Sequence, residues 1–383
     1  MVSAEKMPEV LFFLPRLGGG GAEMNAVRLA PGLLAAGVRP VYAVGRGPGG
    51  YEEFLPEGVE VVVLDTGRVN SSLLRLLRAR GPLARLLDAR RPDVLCPVMV
   101  APALAALDGL RRARYKPRVV LSIQNSLSVS HEQSRRLRDR IELRLLKRMF
   151  PRADGVIALS HGVAGEIARL VPQIAPGIQV IHNVGYPLPA QIAAAQAAPR
   201  PEPGGTVTLL ACGRLTRQKD YPTLLEAFAR LAPAERVRLE ILGDGELKET
   251  LEAQCRRLGI ADRVAFLGFR RDPISHMRRA DVFVLSSLWE GFGNVLVEAM
   301  SVATPVVSTD CPHGPGEILT GGETGLLVPP DDPAALAATL QRLVDDPALR
   351  QRIGVAGARR AQDFGAEAIG AAYAQAFRSY IEA

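Results

Sequence analysis

The chain has 383 residues, too many for one ordinary domain and comfortable for two of about 150–200 residues each. Hydrophobic residues make up 48% and charged residues 23%, which excludes a disordered or low-complexity protein and fits an ordinary globular one. The net charge of +7 is unevenly shared: residues 1–190 carry a net of about +10 and the remainder about −3, so the first half is expected to meet something anionic.

Taken in chain order, short apolar runs alternate with helical patterns. Strands are predicted at Val10–Leu14, Arg39–Val44, Val59–Leu64, Asp93–Cys96, Arg118–Ile123, Gly155–Ala158 and Gln179–Ile181. Five more follow at Val207–Ala211, Arg238–Leu242, Val264–Leu267, Val282–Leu285 and Pro305–Ser308. Continuous apolar strands separated by helices imply parallel sheets covered on both faces, and two such series imply two doubly wound α/β domains. The expected division is residues 1–186, a linker over 187–205 rich in proline and alanine, and residues 206–365. The segment Ala366–Ala383 reads as a final helix that crosses back onto the first domain.

The first apolar run, Val10–Leu14, has Glu5 and Glu9 upstream and Pro15 after it, a buried strand rather than a signal peptide. The longest, Val94–Leu107, holds Pro97 and Pro102 and falls short of the roughly 18 residues a membrane helix needs. A cytoplasmic location is expected, with the inner face of the cytoplasmic membrane as the place of work. Two segments of the first half are basic and amphipathic. Over Glu132–Met149 the apolar residues Leu137, Ile141, Leu145 and Met149 recur every four positions among Arg135, Arg136, Arg138, Arg140, Arg144, Lys147 and Arg148. Leu73–Arg91 is similar but broken at Gly81-Pro82. Two readings stay open for them, a solvated face on a core-packing helix and peripheral contact with anionic lipid headgroups.

The segment richest in chemistry is Ser286-Ser-Leu-Trp-Glu-Gly-Phe-Gly-Asn-Val-Leu-Val-Glu298. It follows an apolar strand and opens a helix at about Asn294, the arrangement that points backbone N–H groups at an anion. Gly291 and Gly293 allow close approach of a ligand to the backbone. Glu290 in the turn and Glu298 in the helix are poor phosphate ligands but good acceptors for hydroxyls on either side of one. The second segment, Ala211-Cys-Gly-Arg-Leu-Thr-Arg-Gln-Lys-Asp-Tyr-Pro222, also joins a strand to a helix, predicted at Thr223–Leu231. Arg214 and Lys219 could both reach one diphosphate there, at the strand edge where open α/β sheets bind ligands.

Together these pieces resemble the retaining glycosyltransferases of family 4, with the GT-B fold of two facing Rossmann-like domains. The matching motifs are Gly213-Arg214 with Lys219-Asp220, Leu242-Gly-Asp-Gly245, Val264–Asp272, Glu290-Gly-Phe-Gly293 with Glu298, Thr309-Asp-Cys-Pro-His-Gly-Pro-Gly-Glu317 and Gly325-Leu-Leu-Val-Pro329. The resemblance implies that Arg214 and Lys219 bind the donor diphosphate, Glu298 the ribose and Glu290 the transferred hexose. It implies that Gly213, Gly291 and the backbone of Phe292, Gly293 and Asn294 complete the donor site, and that the backbone at Phe269–Arg270 holds the nucleobase. In the first half, Leu17-Gly-Gly-Gly-Gly-Ala-Glu23 matches the family's glycine loop, with Gly19 and Gly20 facing the diphosphate and acceptor. Many members carry a histidine near the donor sugar where this chain has Asn125, in Ser122-Ile-Gln-Asn-Ser126. Asparagine can donate a hydrogen bond but cannot take a proton near neutral pH, which favours a substrate-assisted, front-face transfer.

The resemblance further implies a nucleoside-diphosphate sugar as donor, UDP before GDP by family frequency. The form Cys311–Glu317 resembles members that add hexoses or N-acetylhexosamines to glycans or to polyprenyl-diphosphate-linked precursors. No nucleic-acid partner and no cofactor is expected. The five histidines, His131, His161, His182, His276 and His313, show no metal-ligand spacing, and Cys96, Cys212, Cys255 and Cys311 form no CxxC pair, so no metal and reduced thiols are expected. A nicotinamide oxidoreductase is disfavoured, because Glu23 stands where G-x-G-x-x-G requires its third glycine. A sugar-nucleotide epimerase of the same fold and a non-catalytic nucleotide-sugar-binding module remain as alternatives.

Overall fold

The structure, a computed structural model, describes residues 7–67, 72–127, 137–200 and 205–382. It divides into two compact units, one of residues 1–184 with 366–383 and one of Gly185–Gly365.

The first unit is built from β1 (Glu9–Leu14), α1 (Gly21–Ala35), β2 (Arg39–Val44), β3 (Glu60–Val63), α2 (Ser72–Arg90), β4 (Val94–Pro97), α3 (Val100–Gly109), β5 (Arg118–Ile123), α4 (Leu137–Met149), β6 (Gly155–Ala158), α5 (His161–Leu170) and β7 (Ile178–Val180). Its strands form one parallel sheet in the order β3-β2-β1-β4-β5-β6-β7. β1 and β4–β6 are buried almost throughout because both faces of the sheet are covered by helices.

The second unit continues with α6 (Pro189–Gln196), β8 (Val207–Cys212), α7 (Tyr221–Phe228), β9 (Val237–Leu242), α8 (Lys248–Arg257), β10 (Val264–Gly268), α9 (Pro273–Arg279), β11 (Val282–Leu285), α10 (Asn294–Ser301), β12 (Val306–Thr309), α11 (Pro315–Ile318), β13 (Leu326–Val328), α12 (Pro333–Asp345) and α13 (Pro347–Ala361). Its parallel sheet runs β10-β9-β8-β11-β12-β13, so the chain reverses direction between β8 and β11. The predicted two-sheet, doubly wound architecture is thus present.

The last helix, α14 (Ala366–Glu382), returns to the first unit and lies against α1. The approach is backbone to backbone: a Cβ at Gly32 would stand 1.8 Å from the Ala366 carbonyl oxygen, and one at Gly370 2.4 Å from the Gly32 carbonyl carbon. Glycine at both positions lets the helices close over a core in which Phe12 stacks on Tyr42 at 5.4 Å and meets Phe377 edge-on at 6.1 Å.

Three sequence expectations need correction. The segment 187–205, read as a linker, holds α6 inside the second unit, with residues 201–204 outside the described set. Pro189 at the first helical position starts the helix and the alanine run sustains it. α2 runs unbroken through Gly81-Pro82, because Ala79, Leu83 and Leu87 are buried together and that packing outweighs one missing N–H. Among the described side chains of α4, Leu146 and Met149 are buried, whereas Ile141 and Leu145 are 46% and 42% exposed, so the middle of the four-residue apolar stripe does not face the core. Residues 132–136 of that basic segment, Arg135 and Arg136 among them, lie outside the described set, as does His131; nothing is described of the Leu137 and Arg138 side chains.

Candidate functional site

The second unit gathers its chemistry at the carboxyl ends of β8, β11 and β12, beside the point where strand order reverses, which is where open α/β sheets bind ligands. The loop after β8 is pinned from below by β9: Gly213 N–H donates to the Leu242 carbonyl at 2.9 Å, and Leu215 N–H to the Asp244 carbonyl at 3.0 Å. Gly243, at φ +133°, has no room for a side chain, since its Cβ would lie 2.0 Å from the Gly213 carbonyl oxygen. The Gly-Asp-Gly motif after β9 is therefore a backing plate for the loop that carries Arg214 and Lys219. A short turn over Arg217–Lys219 and a left-handed Asp220 then open α7.

Lys219 is turned inward. Its Nζ lies 2.6 Å from Oε1 of Glu290, and the same oxygen accepts from the Ser287 hydroxyl at 2.6 Å. The pair is largely buried, with side-chain exposures of 16% and 9%. Ser286 Oγ donates to the Lys219 carbonyl at 2.7 Å, Gln218 Nε2 to the Trp289 carbonyl at 3.0 Å, and Leu288 N–H to the Gln218 carbonyl at 2.8 Å. The loop after β12 joins them: Thr309 Oγ1 donates to the Ser287 carbonyl at 2.5 Å and Glu290 N–H to the Pro312 carbonyl at 3.2 Å.

Past Glu290 the chain turns through Gly291, Phe292 and Gly293 into α10. Phe292 is buried edge-on to Phe364 at 5.3 Å. Gly293, at φ +101°, takes the N-cap position of α10, which has no side-chain cap, so the helix start presents its N–H groups through backbone alone. Gly314 seals the far side: at φ +88° its Cβ would fall 2.1 Å from the Phe292 carbonyl oxygen. Two thiols lie behind this surface. Burial pushes Cys212 up to about 12, helped by the Glu298 carboxylate, and Cys311 up to about 12, helped by Glu290. Both therefore stay protonated near neutral pH and neither is a nucleophile.

Lys219 and Glu290, which the resemblance implies as ligands of the diphosphate and the hexose, thus stand together in one ion pair. Arg214 stands exposed in the β8 loop, and Glu298 lies half-buried on α10 with Cys212 in its field. Asn294 is the first residue of α10 and Gly291 part of the turn before it. Phe269 and Arg270 lie beyond the end of β10, the edge strand, where the Phe269 ring is 72% exposed. Gly19, Gly20 and Asn125 belong to the first unit, at the carboxyl ends of β1 and β5.

Several site residues escaped the sequence reading. The Asn125 turn is clamped from two sides. Asn25 Nδ2 donates to Gln124 Oε1 at 3.5 Å while its Oδ1 accepts from Val184 N–H at 2.7 Å. On the other side the buried Glu166 carboxylate of α5 accepts from Ser126 Oγ at 3.0 and 3.2 Å and from Leu127 N–H at 2.7 Å. Asn25 stands 99 and 159 residues from its two partners and Glu166 40 and 39 from its own, and only the fold brings them there. Among the described residues no group of three His, Cys, Asp or Glu side chains is arranged to hold a metal ion.

Comparison with known proteins now bears on this geometry. Residues 19–184 match the family described as Glycosyltransferase Family 4, and residues 194–360 the one described as Glycosyl transferases group 1. The chain belongs to the family 4 glycosyltransferases. It is 33% identical over 231 residues to a lipopolysaccharide core biosynthesis glycosyltransferase, LpsE, of Rhizobium meliloti, covering 60% of this chain and 66% of that one. It is 35% identical over 156 residues to the N-acetylgalactosamine-N,N'-diacetylbacillosaminyl-diphospho-undecaprenol 4-alpha-N-acetylgalactosaminyltransferase of Campylobacter jejuni, covering 41% of this chain and 42% of that one. The chain thus spans from about two fifths to about two thirds of these two relatives. Among solved structures, Anabaena HepE in complex with UDP superposes with a TM-score of 0.74 at 23% identity, over 97% of this chain and 100% of that one. Sucrose-phosphate synthase of Thermosynechococcus elongatus gives 0.78 at 22% identity, over 97% and 98%. These two likenesses carry the GT-B fold and nothing finer.

Proposed function

We propose that this chain is a retaining glycosyltransferase that moves a hexose or N-acetylhexosamine from a nucleoside-diphosphate sugar, with UDP as the nucleotide, to a hydroxyl of a glycan or lipid-linked glycan precursor in cell-surface polysaccharide synthesis. The observation that carries the reading is the Lys219–Glu290–Ser287 constellation beside the uncapped start of α10 and the exposed Arg214. Cationic side chains and helix N–H groups converge where a diphosphate would leave, and a carboxylate stands where sugar hydroxyls would need an acceptor. The UDP complex of HepE and the diphospho-undecaprenol acceptor named for the Campylobacter relative support the donor and acceptor classes.

In this reading Arg214, Lys219 and the N–H groups at Gly293 and Asn294 neutralise the diphosphate as the C1–O bond breaks and its electron pair moves to the leaving oxygen. Glu298 holds the ribose, Glu290 the hexose, and the backbone at Phe269–Arg270 the base. The acceptor hydroxyl adds to C1 on the face just vacated, and its proton passes to a leaving phosphate oxygen, so no protein base is consumed. The charge work is assigned to protein groups without a metal. A thermal-shift screen against UDP-, GDP-, ADP- and TDP-sugars, with and without EDTA, tests this. Stabilisation by several degrees with UDP-sugars, indifferent to EDTA, is expected, and the anomeric proton coupling of the product should match that of the donor. No shift with any nucleotide, or an inverted product, overturns the reading.

We place the enzyme at the inner face of the cytoplasmic membrane. Ile141 and Leu145 on α4, and Leu74 and Leu77 on α2, are exposed apolar side chains among Arg140, Arg144, Arg75 and Arg78. Apolar groups set among cations suit the boundary between anionic headgroups and acyl chains. Among the described residues no helix is long and apolar enough to cross a membrane. Ile141→Ser with Leu145→Ser should lower co-sedimentation with phosphatidylglycerol vesicles by threefold or more at unchanged melting temperature. Equal partitioning would return α4 to the solvated-face reading.

A further inference from the structure

We infer that the first unit carries a separate subsite for a phosphoryl or diphosphoryl group, formed by Arg16, Arg46, Arg75 and Arg78 at the carboxyl ends of β1, β2 and β3. The inference rests on the acceptor class proposed above and gives it a place on the chain. Neighbouring strands lie about 4.8 Å apart, so the ends of these three strands make a rim roughly 10 Å wide. The loops that follow them are fastened together. Gly18 and Gly49 meet backbone to backbone, a Cβ at Gly18 standing 1.9 Å from the Gly49 carbonyl oxygen. Tyr51 N–H donates to the Leu17 carbonyl at 3.1 Å, Leu64 N–H to the Val44 carbonyl at 2.8 Å, and Thr66 Oγ1 to the Gly45 carbonyl at 3.2 Å.

Onto this frame the arginines are seated over glycines. The Arg16 guanidinium folds back on Gly19, where a Cβ would be 2.3 Å from its Nη2; at φ +90° that position also disfavours any other residue. The Arg75 stem lies over Gly45, 3.5 Å from where a Cβ would be, and Arg78 Nη1 lies 3.5 Å from the same point on Gly67. Arg46 is exposed in the loop after β2.

Two of the carboxylates nearby accept from main chain. Glu52 accepts from Gly49 and Gly50 N–H, both at 2.7 Å, and Asp65 from Gly67 N–H at 3.1 Å. Glu23 lies over Gly20. Among the described residues Arg16, Arg46 and Arg78 form no ion pair with any carboxylate. Several guanidinium groups held on one rim repel one another unless an anion sits among them, and planar forks on a glycine-lined surface are suited to phosphate oxygens. The phosphate could reach the rim on an acceptor or as a lipid headgroup, and the experiment separates the two.

The test is isothermal titration of the whole chain with inorganic pyrophosphate in the presence of saturating UDP, which occupies the donor site. A pyrophosphate event that persists under UDP and is weakened tenfold or more by Arg16→Gln with Arg46→Gln supports the subsite, with an acceptor diphosphate as its source. Binding to phosphatidylglycerol vesicles that falls in the same variant, with no pyrophosphate event, supports it with a headgroup as source. Arg112→Gln with Arg152→Gln removes two exposed arginines near the opposite edge of the sheet, at the amino-terminal approaches to β5 and β6, and should change neither. If neither ligand distinguishes the two double variants, the subsite is overturned. If UDP itself does not bind, the donor reading fails instead.

Discussion

Glu290→Ala should abolish transfer, with turnover lowered by a thousandfold or more, and should destabilise the second unit by about 3–5 kcal/mol, the usual penalty for removing one partner of a buried ion pair. The alanine would leave the Lys219 ammonium, held 2.6 Å from the lost carboxylate, largely out of water without that partner, and would orphan the Ser287 hydroxyl as well. Lys219→Ala strands the carboxylate instead and should cost a similar amount. Because the two residues act as one unit, the double variant should be less destabilised than the sum of the singles, with a coupling of about 2 kcal/mol or more. Urea denaturation of the four proteins measures the coupling, and donor titration measures the consequence for binding. Lys219→Ala should weaken UDP binding at least tenfold, since the diphosphate loses its ammonium. Additive stabilities with unchanged UDP affinity in both singles would show that the pair neither holds the loops together nor meets the donor.

That pair also marks the limit of what the sequence could tell. The strands at Arg39–Val44, Arg118–Ile123, Gly155–Ala158 and Val282–Leu285 were legible to the residue, because a strand buried on both faces writes itself as a mostly apolar run. β13 was not read as a strand, since Leu326–Val328 is three residues long and too short to show a period. α6 was hidden by its prolines, which start a helix when they stand at its first turn and break one elsewhere. The glycine turn around Glu290 and the loop around Lys219 could be found separately, each by its strand-turn-helix pattern. Their meeting, across 71 residues, follows from β8 lying beside β11 in the sheet. Spacing along the chain therefore marked two candidate ligands without showing that the fold joins them as a charge pair. Gly243 and Gly314 were visible as motif letters, but what excludes a side chain there is a carbonyl of another loop.

Glu166 is the second residue whose loss should be felt most, and it had no local signal at all. It lies in the middle of α5, yet its carboxylate is buried and receives the Ser126 hydroxyl and the Leu127 N–H. Hydrogen bonds to a charged acceptor contribute about 1.5–3 kcal/mol each, and a buried N–H left without a partner adds its own desolvation cost. Glu166→Ala should therefore destabilise the first unit by about 2–4 kcal/mol. Asn125 immediately precedes this clamp, at the position that the family resemblance puts near the donor sugar. If the clamp positions Asn125, the surviving folded protein, assayed well below its melting temperature, should lose tenfold or more in kcat while UDP affinity stays within twofold, because the donor groups assigned above lie in the second unit. Glu166→Gln keeps an acceptor oxygen for Leu127 N–H and should recover most of the stability and much of the kcat. A Glu166→Ala protein that is destabilised but fully active per folded molecule would reduce Glu166 to scaffolding. One that is neither destabilised nor slowed would remove the clamp altogether.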